Sequence, residues 1–238
     1  MPPTQATAAR TLASLARRIP TCERCPRLRS YCRAVAKTKR RAYREWTYWG
    51  RPVPGFGDPA AQLVLVGLAP AAHGGNRTGR IFTGDRSGDW LYGALHRHGF
   101  ANQAESVSRD DGLRLTGAYV TAAARCAPPG NRPTLVELER CRPYLVEELR
   151  ALRRARVIVA LGGVSWDAVL RVWAGMGVGI PRPRPRFGHG AEVRVAVDLP
   201  VLLGSYHPSQ QNTQTGRLTR PMFDSVFRRA CRLIEEAR

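Results

Sequence analysis

The stretch Gln62-Leu-Val-Leu-Val-Gly-Leu68 is apolar without alternation and then breaks into a glycine- and proline-bearing loop. A strand with one wet face alternates polar and apolar residues, so a run without alternation reads as buried on both faces, as in a parallel sheet. Ala118 to Ala124, Arg156 to Leu161 and Val201 to Tyr206 have the same character. Helical patterns lie between and after them. Trp90 to His98 places Trp90, Leu91, Ala94 and Leu95 on one face. A second helix starts at Thr134, where Thr-Leu-Val-Glu is a capping box, and carries Leu138, Cys141, Leu145 and Leu152 at helical spacing. Ser165 to Trp173 and Met222 to Glu236 complete the set. Strands alternating with helices predict an α/β sandwich around a parallel sheet, with ligands bound beyond the carboxyl ends of the strands.

The 238 residues are 43% hydrophobic and 24% charged, the balance of a folded globule. Thirty-eight basic residues against 18 acidic ones give a formal charge of +20, which points to an anionic partner such as nucleic acid. The only lysines are Lys37 and Lys39. The basic run Lys37 to Arg44 and the Pro-Arg alternation of Pro181 to Arg186 read as phosphate contacts without a role in reading sequence. No segment approaches the roughly 20 apolar residues of a membrane span. The N-terminus lacks a secretory signal's apolar core and cleavage site, so the chain is expected in the cytoplasm, on the nucleoid where it binds DNA. A single domain over residues 1–238 is expected, with residues 1–58 forming an N-terminal helix and a basic arm that bears cysteines.

In a reducing compartment six cysteines read as metal ligands or buried hydrophobes rather than disulfides. Cys22 and Cys25 form a Cys-x-x-Cys in an arm without a strong helix or strand pattern. Cys126 ends the second strand, and Cys141 lies 15 positions on, facing inward from the capped helix. Four thiolates from these elements would suit zinc or an iron-sulfur cluster, and the wide spacing of the second pair modestly favours the cluster. Cys32 and Cys231 read as buried hydrophobes. The loop after the first strand, Gly67 to Asp85, carries five glycines that permit close backbone approach to a ligand, yet it is neither a Walker loop nor a dinucleotide fingerprint. Asp85 is its only carboxylate, Phe82 its only aromatic and His73 its only imidazole; the plainer readings are a helix cap for Asp85 and a core residue for Phe82. His207 ends the last strand, fixed by Pro208 and followed by a long polar loop.

Gly67-Leu-Ala-Pro-Ala-Ala-His-Gly-Gly-Asn-Arg-Thr-Gly-Arg80 with Phe82-Thr-Gly-Asp85, Arg125-Cys-Ala-Pro-Pro-Gly-Asn-Arg-Pro133, and His207-Pro-Ser-Gln-Gln-Asn-Thr213 with Thr215-Gly-Arg-Leu-Thr219 together resemble the family 5 uracil-DNA glycosylases. The resemblance runs from Cys22 to Phe227 in order. It implies a three-layer α/β/α sandwich with a central four-stranded parallel sheet, and a [4Fe-4S] cluster on Cys22, Cys25, Cys126 and Cys141. It implies an enzyme that flips uracil out of DNA and hydrolyses its glycosidic bond. Asp85 would orient water and stabilise the cationic sugar, His207 would bond the developing anion at uracil O2, and Asn131 would be a second polar group at the site. The base would sit among Gly67, Ala69, Ala71, His73 and Phe82, with Phe82 stacking on it. Gln210, Gln211, Asn212, Arg217 and Leu218 would meet DNA, with the glutamines or Leu218 filling the gap left by the flipped base.

Two departures bear on specificity. Gly67-Leu68-Ala69-Pro70 offers no base where many relatives carry Asp or Asn, and Thr121-Ala122-Ala123 offers no amide to read the uracil edge. Loose discrimination follows, with hypoxanthine, xanthine and similar bases as further substrates. No lysine lies in the site loops, so a monofunctional enzyme that leaves an abasic site is expected. A non-catalytic iron-sulfur or zinc DNA-binding module would share the charge and cysteines; a zinc hydrolase lacks any supporting His-x-Glu pattern. Nothing in the sequence marks a dimer seam, and a monomer is expected.

Overall fold

The computed structural model describes residues 5–237. Six strands, β1 (Phe56–Gly57), β2 (Leu63–Gly67), β3 (Ala118–Ala122), β4 (Val157–Leu161), β5 (Glu192–Val193) and β6 (Val201–Ser205), form one sheet in the order β1-β3-β2-β4-β6-β5. The central four are parallel, as expected. The sheet is nevertheless mixed, because β1 and β5 add antiparallel edges. Two residues are too few to show a period, which is why both edges escape a reading by pattern. Gly57 makes the first edge possible: a Cβ there would lie 2.4 Å from the Ala118 carbonyl oxygen.

The helices are α1 (Gln5–Arg18), α2 (Pro26–Thr38), α3 (Gly75–Thr78), α4 (Arg86–Arg97), α5 (Leu135–Ala151), α6 (Gly163–Gly175), α7 (Gln210–Gln214) and α8 (Arg220–Glu236). Successive strand residues face opposite ways. Leu63 and Leu65 join Val157, Val159, Val201 and Leu203 under α4 and α8; Val64 and Val66 join Ile158, Ala160 and Leu202 under α1, α5 and α6. The result is the three-layer sandwich.

First turns that lack the apolar helical pattern hid the starts of three helices. α4 begins at Arg86 rather than Trp90, α6 at Gly163 rather than Ser165, and α8 at Arg220 rather than Met222. The capping box at Thr134 forms, with Glu137 and Thr134 bonded reciprocally. The arm is more ordered than its pattern promised. After α1 a short turn (Ile19–Thr21) leads into α2, which starts on Pro26, a favoured first helical residue, and buries Leu28, Cys32 and Val35 along one face. Cys22 and Cys25 therefore occupy a turn between two helices. The basic run spans the end of α2 and a second short turn, Arg41–Tyr43. No described helix is long and apolar enough to cross a membrane.

Candidate active site

The loop from Gly67 to Asp85 leaves β2, the central strand, at its carboxyl end and returns into α4. Phe82 sits in it at φ 51°, a left-handed conformation that costs an aromatic residue of order 1–3 kcal/mol. Neighbouring bonds hold it there. Tyr92 Oη donates to the Ile81 carbonyl at 2.8 Å, and Arg80 bonds Thr83 Oγ1 and Ser106 Oγ and forks onto Asp111 at 2.9 and 2.7 Å. The Arg80 fork and the amides of Leu113 and Val107 outweigh burial and hold the Asp111 carboxyl at about 2. The Phe82 ring lies against Gly67, where a Cβ would come within 2.7 Å of it, and stacks on the His207 imidazole at 5.7 Å and 29°.

Asp85 is the N-cap of α4, its Oδ1 accepting from the Gly88 amide at 3.0 Å. The plainer reading of Asp85 is thus correct for one oxygen. The other faces Gly74 so closely that a Cβ there would stand 2.0 Å away. Burial pushes the carboxyl above its ordinary range against the pull of the Gly88 and Ser87 amides, with Asp89 raising it and Arg77 lowering it. A desolvated carboxylate with one free oxygen is the environment in which a carboxyl serves as a base. Burial likewise lowers His207 to about 4, so its imidazole is neutral at pH 7. Its ring has no hydrogen-bond partner among the described residues, and its backbone carbonyl accepts from Asn212 Nδ2 at 2.8 Å. Leu68, Ala69 and Ala71 are partly exposed along the same loop. His73 is also partly exposed, but its Nδ1 lies 3.0 Å from Tyr48 Oη, which ties it to the basic arm.

Pattern reading missed Arg77. Its Nε donates to the His73 carbonyl at 2.7 Å and its Nη2 to that of Gly84 at 2.8 Å, so one guanidinium closes the loop that carries Asp85. Tyr43 and Trp46 hold that guanidinium, at 4.0 and 4.1 Å. The aromatic residues interleaved with the arginines of residues 41–49 were the available signal.

Asn131 stands apart: no hydrogen bond or ring contact among the described residues joins it to Asp85, Phe82 or His207. It is exposed in a left-handed turn at φ 56°. There it lines a cleft of about 280 Å³ with Leu68, Ala123, Leu135 and Val164. Gln210 and Gln211 are exposed at the start of α7, which corrects the expectation of an irregular loop, and Asn212 holds that turn to His207. Arg217 is exposed, its guanidinium 4.8 Å from the Tyr206 ring.

Leu218 corrects a second expectation. Only 1% exposed, it belongs to the core with Phe223, Val226 and Phe227 and cannot reach into DNA without leaving it. Leu218→Ala should cost about 2–5 kcal/mol in urea unfolding. Base release per folded molecule should stay at the wild-type level; a raised KM with unchanged stability would restore the wedge.

Cys22, Cys25, Cys126 and Cys141 line one small cavity together with Arg24, Arg29, Arg125 and Arg140. Arg24 and Arg140 donate to each other's carbonyls, fastening the Cys22–Cys25 turn to α5. The Arg125 amide donates to Cys141 Sγ at 3.3 Å. Burial raises the Cys25 thiol, and raises Cys141 to about 11 against the pull of Arg125. Among the described residues no three cysteine, histidine, aspartate or glutamate side chains form a group that could hold a metal ion. The donor chemistry still fits an anionic sulfur-bound centre, since four cysteines and four arginines line the cavity together. Cys32 is fully buried, as expected, packed beside Cys126, and its thiol donates to the Ala127 carbonyl at 3.5 Å. Its place two helical turns beyond Cys25, the residue that caps α2, was the missed signal.

A family model described as the uracil DNA glycosylase superfamily matches residues 54–231. A Mycobacterium leprae protein named type-5 uracil-DNA glycosylase is 51% identical over 224 residues, 94% of this chain and 96% of that protein. A Thermus thermophilus protein of the same name is 50% identical over 212 residues, 89% of this chain and 93% of its own. A Pyrobaculum aerophilum protein named type-4 uracil-DNA glycosylase is 32% identical over 163 residues, 68% of this chain and 74% of its own.

Proposed function

The chain belongs to the uracil-DNA glycosylase superfamily, and from that premise we propose that it is a monofunctional DNA-repair glycosylase that removes uracil and other deaminated bases and leaves an abasic site. One observation carries the reading: a desolvated Asp85 carboxylate shares the carboxyl edge of the sheet with a neutral His207 stacked on Phe82.

The chemistry follows from that arrangement. The +20 charge attracts the phosphate backbone and offsets the roughly few kcal/mol needed to unstack and unpair a base. Phe82 is buried in the core with one ring face covered by His207, and the flipped base would stack on that face once the imidazole makes room. As the glycosidic bond breaks, electron density moves onto the base and positive charge onto the sugar. The neutral His207 imidazole donates an N–H to the developing anion at O2. The free oxygen of Asp85 faces the sugar, stabilises its charge and takes the proton of the incoming water. Lys39 Nζ is bonded to the Arg44 carbonyl on the arm, consistent with chemistry that forms no Schiff base.

Ala122, fully buried at the end of β3, has no amide with which to demand the uracil edge. Release should therefore extend to hypoxanthine and xanthine. The test is cleavage of oligonucleotides bearing single uracil, hypoxanthine, xanthine or thymine residues, read as abasic sites. Turnover of uracil alone would refute the breadth, and tight binding without any release would return the chain to a DNA-binding module. Cys22, Cys25, Cys126 and Cys141 would hold a [4Fe-4S] cluster, whose chemistry when bound is to tie the arm, β3 and α5 together. A monomer is part of the proposal, with one copy contributing every residue of the site described.

A further inference from the structure

Arg125 is 1% exposed and forms an ion pair with a fully buried Glu148, Nη2 to Oε2 at 2.5 Å. Thr121 Oγ1 donates to the same carboxylate oxygen at 2.5 Å, and Tyr119 Oη donates to the other at 3.2 Å. The glutamate is thus satisfied three times over from β3 and the chain beyond it. The arginine is not. Its Nε and Nη1 are buried and have no hydrogen-bond partner among the described residues.

Leaving two donors of a charged guanidinium unpaired in the interior is costly, so such an arrangement calls for an acceptor. Arg125 lines the cavity of the four cysteines, immediately precedes Cys126, and gives its backbone amide to Cys141 Sγ. Glu148 lies on α5 two turns beyond Cys141, where it anchors the guanidinium from behind. We propose that Arg125, braced by Glu148, is a positioning residue for the cysteine-bound cluster, setting the cluster's reduction potential by charge and by hydrogen bonds to its sulfurs. The proposal rests on the cluster reading above. It assigns the Arg125–Glu148 pair a task that a salt bridge in the core does not need, because the pair's net stabilisation is small once both charges are desolvated.

The sign is set by electrostatics. Adding an electron to the cluster is favoured by a nearby cation and opposed by a nearby anion. Arg125→Gln should therefore lower the midpoint potential, Glu148→Gln should raise it, and Arg125→Lys, which keeps the charge, should stay nearer the wild type than Arg125→Gln. The measurement is an anaerobic dye-mediated reductive titration of the holoprotein followed by electron paramagnetic resonance, with iron and sulfide counted per chain. Should Arg125→Gln not fold, Arg125→Lys and Glu148→Gln decide by the size and sign of their shifts. Shifts in opposite directions support the assignment, since a purely structural role gives no reason for opposite signs. Full iron and sulfide with unmoved potentials overturns the assignment while leaving the cluster in place. Wild-type protein without iron and sulfide overturns the cluster reading, and the assignment with it.

Discussion

Asp85→Asn is expected to lower the single-turnover rate of uracil release by about 10²- to 10⁴-fold, the range of a lost acid–base group. The substitution suits the site because asparagine also caps helices, so the bond to the Gly88 amide and the start of α4 survive. What disappears is the negative charge of the oxygen facing Gly74. The wild-type rate should fall as pH is lowered through the Asp85 pKa, and that limb should lie above the ordinary carboxylate range because burial raises the group. The variant's profile should be flat through the same window. Stability carries an independent check. A carboxyl whose pKa is raised in the folded state binds more protons folded than unfolded, so its contribution is full below the unfolded value and is lost as pH rises through the folded one. Asp85→Asn should therefore be no less stable than the wild type at neutral pH, while far less active. A variant that released uracil at the wild-type rate would remove Asp85 from the chemistry.

The tension between cap and base at Asp85 shows how far sequence alone reaches. The four central strands were legible because burial on both faces leaves an unbroken apolar run, and α5 because its capping box is local chemistry. β1 and β5 were not, since two-residue edges are made by their neighbours. In the site, Asp85 and Phe82 stood out as the only residues of their kinds in the loop after β2, and His207 as the histidine just beyond β6; the fold stacks Phe82 on His207. Leu218 was misread for a physical reason: one leucine in a polar loop looks exposed, whereas here the turn of α7 carries it back into the core beside Phe223 and Phe227. Arg77 and the Arg125–Glu148 pair were invisible as members of an arginine-rich chain, because only packing distinguishes a buried guanidinium from a solvated one. A glutamate on the same face of α5 as Cys141 and Leu145 was the faint trace of the second.

His207→Ala should reduce base release by about 10²- to 10³-fold, the cost of removing one preorganised donor to a developing oxyanion. The imidazole is lowered to about 4 by burial, so the donor is neutral throughout the physiological range. A neutral donor predicts a particular profile. No limb should appear near pH 6.5, and His207→Ala should depress the rate equally across neutral pH while leaving the Asp85 limb where it was. Had the cationic imidazole been the working form, the wild-type rate would fall as pH rose past its pKa, and the variant would lose that fall. Truncation also uncovers one face of Phe82, which now stacks on the ring at 5.7 Å, so part of the loss could come from a displaced aromatic rather than a missing donor. His207→Asn separates the two, since it keeps a neutral N–H donor but supplies no ring to stack. Partial recovery over alanine assigns the effect to the hydrogen bond; an asparagine variant as slow as alanine would assign it to the stacked pair and place the anion's donor elsewhere in the site.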